Sequence, residues 1–200
     1  MAKNESYYSG EKYNSLAKKH GYRSRAAFKL IQIDKEENIL KKNLNIIDLG
    51  CAPGGWSQVV SEKLKGTGSI VGIDILKMPK LKDVEYIQCD LKNFDVNKLK
   101  TTIDVVLSDI APNISGVTIV DDRNMIDLLE IELSIVDKTL VNGGDYLAKC
   151  FQGDSLEHLV LNLKERFKSI KRIKPLASRN ISKEIYVSVS YTHLRAHETS

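Results

Sequence analysis

Two groups of residues in this chain could do chemistry together. One is Gly50-Cys51-Ala52-Pro53-Gly54-Gly55-Trp56, with three glycines, a proline and the only tryptophan close together. The other is a scatter of charged residues, Asp74, Asp90, Asp109, Lys149 and Glu184, each at or near the end of an apolar run. Gly50 lets the backbone turn sharply and leaves room beside it for a ligand. The start of a following helix can hold a negative group. Asp74 lies 24 residues after Gly50, the separation at which a carboxylate reaches ribose hydroxyls in nucleotide-binding sheets. The stretch does not spell G-x-G-x-x-G, because Ala52 and Pro53 replace its middle. A pyrophosphate is therefore a poor fit. A ligand without phosphates that carries an adenosine and an amino-acid carboxylate suits the loop better, and S-adenosylmethionine is such a ligand. Gly50, Pro53 and Gly55 are its expected loop contacts.

These residues need a scaffold that brings them to one place. From residue 45 onward, apolar runs alternate with helical patterns. NIIDL (45–49), SIVGID (69–74), VEYIQCD (84–90), IDVVLSD (103–109), DYLAKCF (145–151), SIKRIKP (169–175) and EIYVSVS (184–190) read as strands. Trp56, Val59, Val60 and Leu64 mark one helix, Met125 to Leu140 a longer one, and Leu156 to Phe167 a third. Asn142-Gly143-Gly144 reads as the stop of the second. This alternation predicts an α/β fold with a mostly parallel, seven-stranded, Rossmann-like sheet. The loop LASRNISK is too short for a crossover, so the last strand should be antiparallel. Residues 11–40 read as helical, with Ser24 as N-cap and Ala27, Leu30 and Ile31 on the apolar face. The expected organisation is one domain over 1–190: a basic helical appendage (1–42) on a core (43–190). In such sheets ligands bind outside the carboxyl ends of the parallel strands. Gly50–Gly55, Asp74, Asp90, Asp109 and Lys149 stand there, and an antiparallel last strand returns Glu184 to the same rim. For Asp74 and Asp90, capping of the next helix is the alternative role.

The 200 residues suffice for one full core. No apolar run approaches the roughly 20 residues of a membrane span, and MAKNESYYSGEKY lacks a secretory pattern. Cys51, Cys89 and Cys150 are odd in number and widely spaced, which fits a reducing, cytoplasmic setting better than a disulfide framework. No cysteine–histidine spacing reads as a metal site. Charge is uneven. Residues 1–33 hold seven Lys/Arg against two acids, and 164–183 hold eight against one, flanking an acidic middle. Two basic ends that meet in space would make a polyanion-binding face; apart, they are solvated surfaces. The tail YTHLRAHETS carries neither an apolar period nor cap signals and reads as foreign or frayed sequence.

DLGCAPGGWSQ, then GID, CDL, LSDIAPN and AKCFQG, with GYRSRAAFKL upstream and SRNISKEIYV downstream, resemble in order the FtsJ/RrmJ family of S-adenosylmethionine-dependent RNA ribose 2′-O-methyltransferases. The resemblance spans about residues 7–190. Cys51 and Cys89 stand where other small residues are expected. The resemblance implies a catalytic set of Lys29, Asp109, Lys149 and Glu184, and cofactor contacts at Gly54, Trp56, Asp74, Asp90 and Asp109. Alone, Lys29 would read as a solvent-facing helix residue.

The implied reaction is in-line methyl transfer from a sulfonium to a ribose 2′-oxygen. The sulfonium is already a good leaving group, so the reaction calls for no metal. Lys149 would deprotonate or orient the hydroxyl. Lys18, Lys19, Arg23, Arg25, Arg172, Lys174, Arg179 and Lys183 would hold RNA phosphates. The resemblance implies large-subunit ribosomal RNA as partner, free or in an assembling subunit, and a monomeric enzyme without membrane attachment. Three rivals stand beside it. A nicotinamide-dependent oxidoreductase shares the sheet and Asp74 but leaves SDIAPN and the lysines unexplained. The others are a non-catalytic RNA-binding protein, and an enzyme acting on tRNA or an mRNA cap.

Overall fold

The structure, a computed structural model, describes residues 3–179 and 182–190, with the backbone alone for 3–10. The expected foreign tail, 191–200, lies outside the described residues. The elements run α1 (Lys3–His20), α2 (Ala26–Glu37), β1 (Asn45–Leu49), α3 (Gly55–Leu64), β2 (Ser69–Asp74), β3 (Glu85–Gln88), β4 (Ile103–Ser108), α4 (Thr118–Thr139), β5 (Leu140–Phe151), α5 (Asp154–Arg166), β6 (Ser169–Ile173) and β7 (Glu184–Ser190). The strands form one sheet in the order β3-β2-β1-β4-β5-β7-β6. β7 runs antiparallel to both neighbours and the other pairings are parallel. This is the expected α/β architecture.

The central strands carry apolar residues on both faces because both faces are covered. Ile47, Leu49, Val106, Tyr146 and Ala148 pack with Met125, Leu129 and Leu133 of α4 and Leu159 and Leu163 of α5. Their neighbours Ile46, Val105, Leu107 and Leu147 point the other way, against Leu30 and Ile33 of α2 and Trp56 and Val60 of α3. α2 thus buries its apolar stripe on the sheet's own helical layer. The turn before it is tied to α3: Arg23 N donates to Gln58 Oε1 at 2.7 Å, and Gln58 Nε2 donates to Gly21 O at 3.0 Å.

Three expectations change. The helical stretch 11–40 is two helices broken at Gly21–Arg25; Arg25 holds the N-cap position of α2 and Ser24 makes no cap. α4 ends at Thr139, three residues before Asn142, and β5 begins at Leu140 rather than Asp145. Asn142-Gly143-Gly144 therefore lies inside a strand, which Gly143 bends at φ 91°. A Cβ on Gly144 would sit 2.7 Å from Asp104 O, so the glycine there serves a close approach of β5 to β4 rather than a helix stop. β3 is shorter than 84–90 because Asp90 turns the chain into a 3₁₀ turn, accepting from Lys92 N at 3.0 Å.

Candidate active site

Lys29, Asp109, Lys149 and Glu184 come together. Asp109 follows β4, and Lys149 sits near the end of β5. Glu184 opens β7, whose register sets Tyr186 opposite Lys149 and Glu184 opposite Phe151. Strand side chains alternate, so Lys149, Tyr186 and Glu184 share one face. α2 lies over that face and lowers Lys29 onto it. Lys29 Nζ lies 2.7 Å from Glu184 Oε1 and 3.8 Å from Asp109 Oδ1. Lys149 Nζ lies 3.1 Å from Asp109 Oδ1 and donates to the Asp109 carbonyl oxygen at 2.5 Å. Both lysine side chains are over nine-tenths buried. Two cations are thus set against two anions, the arrangement that makes burial of charge tolerable.

Tyr186 is the member that sequence reasoning missed. Its hydroxyl donates to Asp109 Oδ1 at 2.6 Å and accepts from Lys29 Nζ at 3.0 Å. It joins the two halves of the set. Burial, then the negative charges of Asp109 and Glu184, push its hydroxyl pKa well up, so it stays a donor. The signal was present in EIYV, where Tyr186 follows Glu184 by one strand period. Ser178 Oγ donates to Glu184 Oε1 at 2.8 Å. Burial alone would raise the Glu184 carboxyl, but Lys29, with Lys149 and Ser178, outweighs it and holds the group below the ordinary value. Beneath the set lies Glu132, wholly buried, accepting from Ser108 Oγ and Tyr146 OH, each at 2.8 Å. Burial pushes its pKa to about 7.

The four charged residues stand between two clefts. The first, of about 280 Å³, is lined by Lys29, Asp109, Gly50, Pro53, Gly55 and Trp56, among others. The second, of about 450 Å³, is lined by Lys149, Glu184, Lys183, Ile114, Phe151 and Thr118, among others. A further cleft of about 350 Å³ lies far from these residues, near Gly66–Ser69 and Lys98–Thr101.

The glycine loop is shaped by what packs on it. Gly50 has φ 68°, and a Cβ there would lie 2.1 Å from the Ile110 side chain. The space expected beside it for a ligand is filled by Ile110 of SDIAPN. A Cβ on Gly55 would meet Ser24 Oγ at 2.2 Å. Ser24 therefore presses on the loop instead of capping α2. Gly54 precedes α3 with no side-chain cap, leaving that helix's first amides to a ligand. Trp56 is buried; its Nε1 donates to Ala26 O at 2.8 Å and its ring lies 5.8 Å from that of Tyr186. Asp48, at the floor of the first cleft, accepts from Ser57 Oγ at 2.6 Å. Burial pushes its pKa to about 7.

Asp74 and Asp90 reach the rim outside the first cleft. Asp74 accepts from Ala52 N at 2.8 Å and from Leu76 N at 2.7 Å, pinning the loops after β1 and β2. Asp90 stands beside it through the bond from Cys89 N to Asp74 O, and takes the capping role.

The two basic ends do meet at α2. Ala177 N donates to Gln32 Oε1 at 3.0 Å, and Lys171 Nζ pairs with Glu37 at 2.7 Å. Lys18, Lys19, Arg172 and Arg179 are exposed. Lys183 lines the second cleft, 3.4 Å from Thr118 Oγ1. Lys174 donates to Ser182 O at 2.7 Å. Arg23 is used differently. Its guanidinium donates to Pro53 O, Pro79 O and Lys80 O at 3.2, 2.7 and 2.8 Å. It straps the α1–α2 turn to the glycine loop of the first cleft and to the loop at Pro79–Lys80. Arg25 is half-buried and borders the first cleft.

Among the described residues, no group of His, Cys, Asp and Glu could hold a metal ion, and no helix is long and apolar enough to cross a membrane. All three cysteines are free.

Comparison with known proteins gives the family. Residues 22–190 match the FtsJ-like methyltransferase family. The ribosomal RNA large subunit methyltransferase E of Coxiella burnetii is 40% identical over 185 residues, covering 88% of this chain and 87% of its own. That of Nitrosospira multiformis is 41% identical over 177 residues, covering 86% of each. Among solved structures, a ribosomal RNA methyltransferase of Plasmodium falciparum superimposes with a TM-score of 0.78 at 33% identity, covering 87% of this chain and all of its own. By its sequence over residues 22–190 and by the relatives that share it over most of their length, the chain belongs to the FtsJ-like methyltransferase family.

Proposed function

We propose that this protein transfers a methyl group from S-adenosylmethionine to a ribose 2′-hydroxyl of RNA, with a uridine in the peptidyl-transferase region of large-subunit ribosomal RNA as target. One observation carries the reading: Lys29 and Asp109 face one cleft while Lys149 and Glu184 face another. A donor and an acceptor can thus meet across the four charges. The relatives named as ribosomal RNA large subunit methyltransferase E support the choice of RNA.

The first cleft suits the donor. Its floor carries Asp48, its wall carries the uncapped start of α3, and Arg25 borders it with a guanidinium nitrogen that has no hydrogen-bond partner among the described residues. Anions and cations are both present for a zwitterionic amino-acid group, and Asp74 and Asp90 lie beyond it for an adenosine. When bound, the donor supplies a methyl on a sulfonium, whose departure as a neutral thioether drives the transfer.

The chain's own work is placement and charge. Lys149 Nζ donates to the Asp109 carbonyl oxygen and is ion-paired with its carboxylate. A further N–H serves the 2′-oxygen, which Lys149 holds at the partition between the clefts. Positioning of this kind converts an encounter into an intramolecular step. The same hydrogen bond strengthens as negative charge develops on the oxygen, and the hydroxyl proton leaves to water in the open second cleft. Lys29, locked by Glu184 and Tyr186, balances Asp109 so that Lys149 is not drawn out of line. RNA phosphates lie along Lys18, Lys19, Arg172, Arg179 and Lys183. The protein works as a cytoplasmic monomer on free or assembling large subunits.

The test is a map of 2′-O-methylation across ribosomal and transfer RNA in cells with and without the gene. The proposal requires one large-subunit uridine to lose its methyl. Loss confined to transfer RNA would keep the chemistry and refute the substrate.

A further inference from the structure

The donor cleft contains a cation, Arg25, that the sequence alone assigned to RNA phosphate. Two cationic side chains line it, Lys29 and Arg25. Lys29 is committed to Glu184 and Tyr186. Neighbouring Arg23 does not line the cleft and is committed to three backbone carbonyls, those of Pro53, Pro79 and Lys80. The Arg25 guanidinium is different. Its Nη1 is shielded from solvent and, among the described residues, has no hydrogen-bond partner.

A guanidinium carries five N–H donors in a planar fork matched to a carboxylate. Leaving such a donor buried and unpaired is costly, and the half-buried side chain as a whole stands at the cleft wall, so the arrangement calls for an anion that arrives with a ligand. The cleft's position says which part of the ligand. Its lining runs from Ser24 and Arg25 past Gly50–Gly55 to Lys29 and Asp109, and excludes Asp74 and Asp90. The adenosine end therefore lies elsewhere, and this cleft takes the end near the reacting methyl. That end of the donor carries one anion, the amino-acid carboxylate.

We propose that Arg25 binds the carboxylate of the methyl donor's amino-acid moiety, and is a cofactor-binding residue rather than a contact to RNA phosphate. This rests on the donor reading above. Arg25 then joins donor binding to catalysis: it stands four residues before Lys29, where α2 begins. Arg23, two residues earlier, fixes the same turn to the loop at Pro53. A donor that lacks the carboxylate would leave Arg25 unpaired.

Calorimetric titration tests this with two probes, S-adenosylhomocysteine, which has the carboxylate, and 5′-methylthioadenosine, which lacks the whole amino-acid group. Arg25→Ala should weaken the first by about ten- to a hundredfold, the range for a lost charge-assisted hydrogen bond. It should leave the second within about threefold. Arg25→Lys should recover part of the loss, and Arg25→Gln should behave like the alanine variant while keeping the side chain's bulk. RNA affinity, measured with the same proteins, should stay unchanged. Equal weakening of both probes, or no weakening of either, would overturn the assignment. So would a loss confined to RNA, which would return Arg25 to the phosphate contacts. If the wild-type chain binds neither probe, the donor reading fails and takes this assignment with it.

Discussion

Tyr186→Phe isolates one atom of the site. The ring stays, so the contact with Trp56 and the fill of the core are kept and no cavity opens. What is lost is a hydroxyl that donates to Asp109 at 2.6 Å and accepts from Lys29 at 3.0 Å. A hydrogen bond to a charged group contributes about 1.5–3 kcal/mol. Asp109 keeps Lys149, and Lys29 keeps Glu184, so neither charge is stranded. What goes is the tie that holds Asp109 and Lys29 in register. If that tie orients the partition during transfer, the single-turnover methylation rate should fall by about ten- to a hundredfold. The dissociation constant for S-adenosylhomocysteine should move less than about threefold, since Tyr186 is not part of the donor cleft lining. Single-turnover transfer from a labelled donor, alongside urea unfolding, separates the outcomes. A rate within twofold of wild type together with a loss of stability would show that the hydroxyl serves folding only, and would refute the reasoning.

Other consequences can be checked more briefly. The Glu132 carboxyl is raised to about 7 from an ordinary 4.5. The folded state therefore binds a proton that the unfolded chain releases above about 4.5. Stability from this group is complete below about pH 4.5 and is lost as pH rises to about 7, to the extent of about 3 kcal/mol at most. Urea denaturation from pH 4 to 8 should show that Glu132→Gln flattens this decline; an unchanged slope would contradict it. Gly50→Ala puts a Cβ into Ile110 at φ 68°. It should lower stability by more than the roughly 1–2 kcal/mol of a left-handed alanine, and weaken S-adenosylhomocysteine binding in the same titration. RNA affinity should fall steeply between about 50 and 200 mM salt. Lys18→Glu with Lys19→Glu should reduce that slope while leaving donor binding intact, and a salt-independent affinity would remove the basic-face account.

Much of the fold was legible because strand and helix periods alternate without ambiguity from residue 45 onward. The rim followed from the fold: once β1, β2, β4 and β5 are parallel, Gly50, Asp74, Asp109 and Lys149 must share an edge, and an antiparallel β7 must bring Glu184 back. Lys29 was not legible from its own neighbourhood, since a lysine on an amphipathic helix looks solvated until the helix is known to lie over the sheet. The inward positions of Arg23 and Arg25 were hidden for a related reason. Charge density says that a segment is basic, but not which guanidinium turns inward to carbonyls or to a cleft. Tyr186 escaped because a tyrosine in an apolar strand reads as core, and it is core; only the register with Lys149 shows where its hydroxyl points. The helix stop at Asn142-Gly143-Gly144 failed because glycine serves equally for a close strand approach, and local sequence does not separate the two.

The central claim is that Lys149 holds the 2′-oxygen while the donor is bound independently on the other side of the partition. Purified wild-type protein and Lys149→Ala should be given large ribosomal subunits from cells lacking the gene, with labelled S-adenosylmethionine. The methylated position is then read at nucleotide resolution, and S-adenosylhomocysteine binding is measured on the same samples. The account predicts 2′-O-methylation of a single large-subunit uridine by the wild type. It also predicts no detectable transfer by Lys149→Ala, with donor affinity largely unchanged. Wild-type-like turnover in Lys149→Ala would contradict it.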